Sequence, residues 1–164
     1  MKINILGQSR RQSKGFSLVE VLVVIAIISI LATLVISSFS NAAQDSREIM
    51  ARQQQAVVQS AVSNWVASEV GTFYDPDPSD TTPGRFQSIG DVLSRYNAAS
   101  TGLARLALVR AYLDDSTYSH ITNNTTDPAG NQLKSGAMTK VTPQRYLQMP
   151  NWVGGSYPKV ELLP

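Results

Sequence analysis

Between Phe16 and Val70 the chain contains neither Gly nor Pro, although it has ten Gly and eight Pro elsewhere. A stretch of that length without a helix breaker predicts one long helix, which we place at residues 17–69 and about 80 Å in length at about 1.5 Å rise per residue. Gly71 supplies a stop. No Pro interrupts its apolar part, and the Ser37-Ser38 pair is a weak substitute, so no sharp kink is expected.

The first half of this helix is apolar. From Val21 to Ile36 only Ser29 and Thr33 are polar. Residues 16–39 are long enough for a membrane span, which needs roughly 20 residues. Glu20 lies near the start of the run. A carboxylate at mid-span costs about 2.5–3.5 kcal/mol on an insertion scale and less near an end, so Glu20 does not forbid insertion but asks for a reason.

A secretory signal peptide would follow its apolar run with a small-residue cleavage site, and Ala42-Ala43 could pass for one, but the run is too long for an ordinary signal-peptide core. A plain signal anchor explains the basic flank but gives Gly15, Phe16 and Glu20 no role. The run Lys14-Gly15-Phe16-Ser17-Leu18-Val19-Glu20, leading into the apolar segment, closely resembles the cleavage and methylation motif of type IV prepilins and pseudopilins. The resemblance covers about residues 14–38. It implies cleavage after Gly15 by a prepilin peptidase, N-methylation of Phe16, and an assembly role for Glu20 opposite the Phe16 ammonium of a neighbour. A buried acid is tolerable when paired, and a polar pair can set register in a helix assembly.

Lys2, Arg10, Arg11 and Lys14 make the leader, residues 1–15, basic with no acid. Positive charge on a short flank places it in the cytoplasm and sends the remainder outward. The whole chain carries +2, whereas without the leader ten basic residues face twelve acidic ones. Nucleic-acid binding therefore gains no support from the charge. The chain has no Cys, so no disulfide can staple the exported part, unlike many pilins.

From residue 40 to 70 the pattern becomes amphipathic. Met50, Gln54, Val57, Val58, Ala61, Val62 and Trp65 fall on one side at helical spacing, with Arg52, Gln55, Gln59 and Ser63 mostly elsewhere. Glu48 and Arg52 stand i,i+4 in the favourable order. Residues 71–164 read as a small head. Residues 72–84 form a turn-rich loop holding Asp75, Asp77 and Asp80, whose alternate carboxylates could ligate calcium, as some secretion pseudopilins do. The loop lacks the Gly and closing Glu of an EF-type site, so a solvated acidic loop is the expected reading and no cofactor is required.

Two short helices follow at residues 88–97 and 101–113, the second with Leu103, Leu106, Val109, Tyr112 and Leu113 inward and Arg105 and Arg110 outside. Asp114-Asp115 opens a polar stretch. Asn123-Asn124-Thr125-Thr126 contains overlapping glycosylation-type sequons, but reads as a turn region before Asp127-Pro128. Residues 145–149 and 159–163 could pair as a hairpin against the long helix. His120 is the single His and reads as a surface residue, and no nucleophile elbow, phosphate loop or zinc-protease motif occurs.

The expected architecture is thus α+β and pilin-like: a long N-terminal helix, with a head of short helices and a small antiparallel sheet. The expected function is that of a non-enzymatic subunit of a type IV pilus-like filament or a type II secretion pseudopilus. Its partners would be copies of itself, a prepilin peptidase and methyltransferase, an inner-membrane assembly platform and the bilayer. A single-pass, signal-anchored periplasmic protein is the alternative.

Overall fold

The computed structural model describes residues 15–75 and 84–164. The chain divides after Asn41 into two compact units, and helix α1, Leu18–Glu69, contributes to both.

In the first unit α1 carries the apolar run, and every side chain from Val21 to Ile36 is exposed. Its few hydroxyls turn back on their own helix. Ser29 Oγ donates to Ile25 O at 2.7 Å, Thr33 Oγ1 to Ile30 O at 2.7 Å, and Ser38 Oγ to Leu34 O at 3.1 Å. Both hydroxyls between Val21 and Ile36 are thus satisfied within the helix, which suits that run to an apolar surrounding.

The second unit is the head. Here α1 buries Ala51, Val58, Ala61, Val62, Trp65 and Val66. The buried stripe is therefore turned slightly from the one expected: Met50 and Val57 are exposed, and Ala51 and Val66 take part instead. The polar residues beside the stripe explain the turn. Gln59 Nε2 donates to Pro158 O at 2.9 Å while its Oε1 accepts from Val160 N at 2.7 Å, and Gln55 Nε2 donates to Val160 O at 2.8 Å. These amides act as a strand edge for the tail, so the helix must present Gln55 and Gln59 to it. The Glu48–Arg52 pair forms as expected at 3.2 Å, and Glu48 also meets Arg145 at 3.3 Å. We expect Gln59→Ala to destabilise the head by about 1–3 kcal/mol, because it orphans a half-buried N–H and a carbonyl. Thermal unfolding of the full chain in detergent measures this.

Gly71, at φ +82°, ends α1, and its N–H bonds Gln87 O at 2.9 Å. Strands β1 (Phe73–Tyr74) and β2 (Arg85–Phe86) then pair antiparallel, Phe73 opposite Phe86 and Tyr74 opposite Arg85. The expected loop is thus a short ribbon at its two ends. Helix α2, Ile89–Ala98, opens on a capping box between Ser88 and Asp91.

The helix expected over residues 101–113 is split. Thr101 caps α3, Gly102–Leu108, and a 3-10 turn follows at Arg110–Tyr112. Leu113 then turns extended, which frees Asp114 to cap α4, Asp115–Asn124, by accepting from Thr117 N at 2.7 Å. The polar stretch is therefore a helix, and only Ile121 of it is buried. The turn expected near the sequons begins at Thr125, where Asp127 accepts from the N–H groups of Asn131 and Gln132 at 2.8 and 3.0 Å.

Arg105 corrects a further expectation. It points inward, 5% exposed, rather than out. Its guanidinium donates to Met149 O and Asn151 Oδ1 and lies 5.2 Å from the centre of the Tyr96 ring. Arg110 is exposed, as expected, over the ring of Tyr118.

A short helix α5, Gly136–Thr139, precedes the tail hairpin of β3 (Tyr146–Gln148) and β4 (Glu161–Leu163). The pairing is antiparallel, with Leu147 opposite Leu162, inside the segments expected to pair. Between the strands, Asn97 and the backbone of Trp152 exchange two hydrogen bonds of 2.8 and 2.9 Å. Trp65, Tyr96 and Trp152 meet in the core, with ring centroids 6.2 Å apart in each successive pair. The result is the α+β plan: a long apolar-headed helix, several short helices and two small antiparallel sheets.

Candidate processing and assembly site

The three residues marked in the sequence stand together where α1 begins. Gly15 and Phe16 precede the helix and are exposed. A Cβ at position 15 would meet nothing within 4 Å, and its φ is not in the left-handed region. Among the described residues nothing demands glycine there. Phe16 is 83% exposed and contributes nothing to a core.

Ser17 and Glu20 form the helix cap. Ser17 Oγ accepts from Val19 N at 3.3 Å, and Glu20 Oε2 accepts from Ser17 N at 3.1 Å. The carboxylate reaching back to the N-cap N–H is half of a capping box, and it sits at the positive end of the helix dipole. This gives Glu20 a partner within its own chain. Both residues follow Gly15, so cleavage there would leave the cap in place. The spacing Ser17-x-x-Glu20 was readable from the sequence as a capping signal, and it is the functional feature that the motif reading passed over.

The remaining candidates lie elsewhere. Asp75 follows β1 and is half-buried, while Asp77 and Asp80 lie outside the described residues. Among the described residues no group of three His, Cys, Asp or Glu side chains could hold a metal. His120 is exposed on α4.

Three carboxylates of the head are held below the usual range. The Ser88 hydroxyl, the Arg85 guanidinium and the Ser88 N–H lower Asp91 to about 2. Ser116 and Thr117 lower Asp114, and the N–H groups of Gln132 and Asn131 lower Asp127. Their folded values lie below the unfolded ones, so their stabilisation is full above about pH 4 and is lost as pH falls through the folded values. We expect the head's unfolding temperature to be level near neutrality and to fall between about pH 4 and 2, as a thermal melt against pH would show.

Among the described residues the apolar part of α1 is the one segment long and apolar enough to cross a membrane, and none of it is buried. Compared with known families, residues 10–36 match the model for the prokaryotic N-terminal methylation motif. No curated protein and no solved structure matches the chain. The motif is in general that of filament subunits processed by prepilin peptidase, and it marks a family of structural proteins. The head lies outside the match. At its N-terminus, with Gly15, Phe16 and Glu20 at the head of an uncovered apolar helix, the chain carries the signature of a type IV prepilin or pseudopilin.

Proposed function

We propose that the chain is a structural subunit of a type IV pilus-like filament or a type II secretion pseudopilus, without catalytic activity. A prepilin peptidase cuts after Gly15, Phe16 becomes the methylated N-terminus, and the protein waits in the membrane as a single-pass precursor. Its basic flank, Lys2, Arg10, Arg11 and Lys14, faces the cytoplasm, and its head faces outward. On assembly the apolar part of α1 moves from lipid into the filament core. That step exchanges one apolar surrounding for another, so packing and the pairing of Glu20 with a neighbour's Phe16 ammonium decide association more than hydrophobicity does.

The observation that carries this reading is the coincidence of the matched motif with the apolar part of α1, in which no side chain is buried. Mass spectrometry of the N-terminus of protein taken from its native membranes tests it. The expected species begins at N-methylated Phe16. An intact Met1 would leave a plain signal anchor, and a start after Ala42 or Ala43 would mean a released head; either overturns the proposal.

A further inference from the structure

The charge of the head is unevenly placed. Residues 44–52 of α1 and residues 140–145 carry four basic side chains, Arg47, Arg52, Lys140 and Arg145, against two acids, Asp45 and Glu48. The rest of residues 42–164 carries six basic residues against nine acidic ones.

The two basic segments are joined in space. Gln44 Nε2 donates to Thr142 O at 2.8 Å, and Arg145 meets Glu48 at 3.3 Å. Glu48 also meets Arg52 at 3.2 Å, so one carboxylate answers two guanidinium groups. Arg47 stands three residues after Gln44 and four before the buried Ala51, which puts it on the side of α1 that meets this segment. Among the described residues neither the half-buried Arg47 nor the exposed Lys140 pairs with an acid. Asp45 is two positions from Arg47 and therefore about 200° round the helix. The ribbon β1–β2 begins beyond Glu69, about 33 Å along α1 from Arg47.

The covalent chain fixes what this belt can reach. Five residues lead from Phe39, where the apolar run ends, to Gln44, and at full extension they span at most about 18 Å. The headgroup layer of a bilayer and one Debye length beyond it together cover about 15 Å. A head tethered this closely keeps its basic belt within the field of the surface that α1 enters. Basic side chains are drawn to a surface of net negative charge, and a guanidinium matches a phosphodiester with two parallel hydrogen bonds.

We propose that the belt rests on anionic phospholipid headgroups, with Arg47 and Lys140 making the contact and Arg52 and Arg145, which share Glu48, adding to the field. The inference rests on the reading of the chain as a single-pass membrane protein and adds to it a docked state of the head before assembly.

With no Cys in the chain, Gln144→Cys provides a single labelling position, exposed on the same segment. The full-length protein, carrying a fluorescent donor there, is reconstituted in vesicles of phosphatidylcholine alone or with about 30% phosphatidylglycerol. Energy transfer to an uncharged acceptor on a trace of lipid headgroups reports the height of the segment. Transfer should be about 1.5-fold higher or more with phosphatidylglycerol, and should return to the phosphatidylcholine level in about 1 M salt, where the Debye length is about 3 Å. Arg47→Gln combined with Lys140→Gln should abolish the increase and leave the head's melting temperature unchanged. Equal transfer in the two kinds of vesicle would overturn the proposal, and this arm needs no change to the belt. An increase that survives salt would indicate an apolar contact, and one that survives the double substitution a contact made by other residues; either would overturn it. Protein that fails to float with the vesicles would overturn the membrane reading itself, whereas floating protein without the increase would overturn the docked head alone.

Discussion

Replacing Glu20 by alanine is expected to leave the chain inserted in the membrane while lowering filament yield about tenfold or more. The two effects separate because the carboxylate has one partner within the chain and a second in the proposed filament. Within the chain it accepts from Ser17 N at 3.1 Å, so its loss removes a cap worth about 1 kcal/mol. Insertion would suffer little, since removing an acid from an apolar segment also removes a cost of insertion. Between chains, the proposed pairing with a neighbour's N-terminal ammonium lies in an apolar surrounding. There, leaving one charge of a pair unmatched costs several kcal/mol. Glu20→Gln distinguishes the two roles, because Gln retains the acceptor for Ser17 N but not the charge. Quantitative electron microscopy of filaments, with membrane fractionation beside it, checks both variants. Normal filament yield from the glutamine variant would leave only the cap and would remove the charge pairing.

The second large effect is expected at Arg105. Arg105→Ala should destabilise the head by about 3–5 kcal/mol and lower its melting temperature by about 10–15 °C. The guanidinium bonds Met149 O and Asn151 Oδ1 from a buried position, and truncation leaves both acceptors without it and opens a void beside Tyr96. Hydrogen bonds from a charged donor contribute about 1.5–3 kcal/mol each, which sets the scale. Arg105→Lys should recover less than half of the loss, because an ammonium cannot reproduce the planar fork that meets two acceptors. Thermal melts of the three full-length proteins in detergent settle the order. Equal stability of the alanine variant would mean that the tail does not depend on this anchor.

Tyr96, which lies against that guanidinium, points to the same kind of site. Burial pushes its hydroxyl up to about 12, against an opposing pull from Arg105. Its stabilising neutral form is fully present below about pH 10 and is lost as pH rises through the folded value.

The parts of this fold that were legible in the sequence are those set by local chemistry. The absence of Gly and Pro from Phe16 to Val70 marked α1, and Gly71 with its positive φ marked the end. The tail strands were legible because their β-favouring residues are bounded by Pro150 and Pro158. The processing motif was legible because it is contiguous, and nothing about Gly15, Phe16 and Glu20 depends on distant contacts.

What the sequence concealed depends on tertiary partners. Arg105 was placed outside because arginine usually stays at the surface, and its acceptors, Met149 O and Asn151, are more than forty positions away. Helix α4 buries little besides Ile121, so it has almost no apolar periodicity to read, although Asp114 as its cap was a usable signal. The ribbon β1–β2 has two residues per strand, too few for an alternation to register. The rotation of the α1 stripe followed from Gln55 and Gln59 meeting Pro158 and Val160, which periodicity alone does not reveal.

The hydroxyls of Ser29, Thr33 and Ser38 have a mechanical consequence. Each is satisfied by a carbonyl one turn back in its own helix. In the proposed filament, none of these three hydrogen bonds has to be broken or exchanged when the helix leaves the lipid, nor when it returns. In either direction these three hydroxyls form no polar latch, so along them the segment acts as a lubricated bearing. A subunit built this way can be withdrawn along the route by which it was added, and the resistance to withdrawal is concentrated at the two ends, where Glu20 and the head make their contacts.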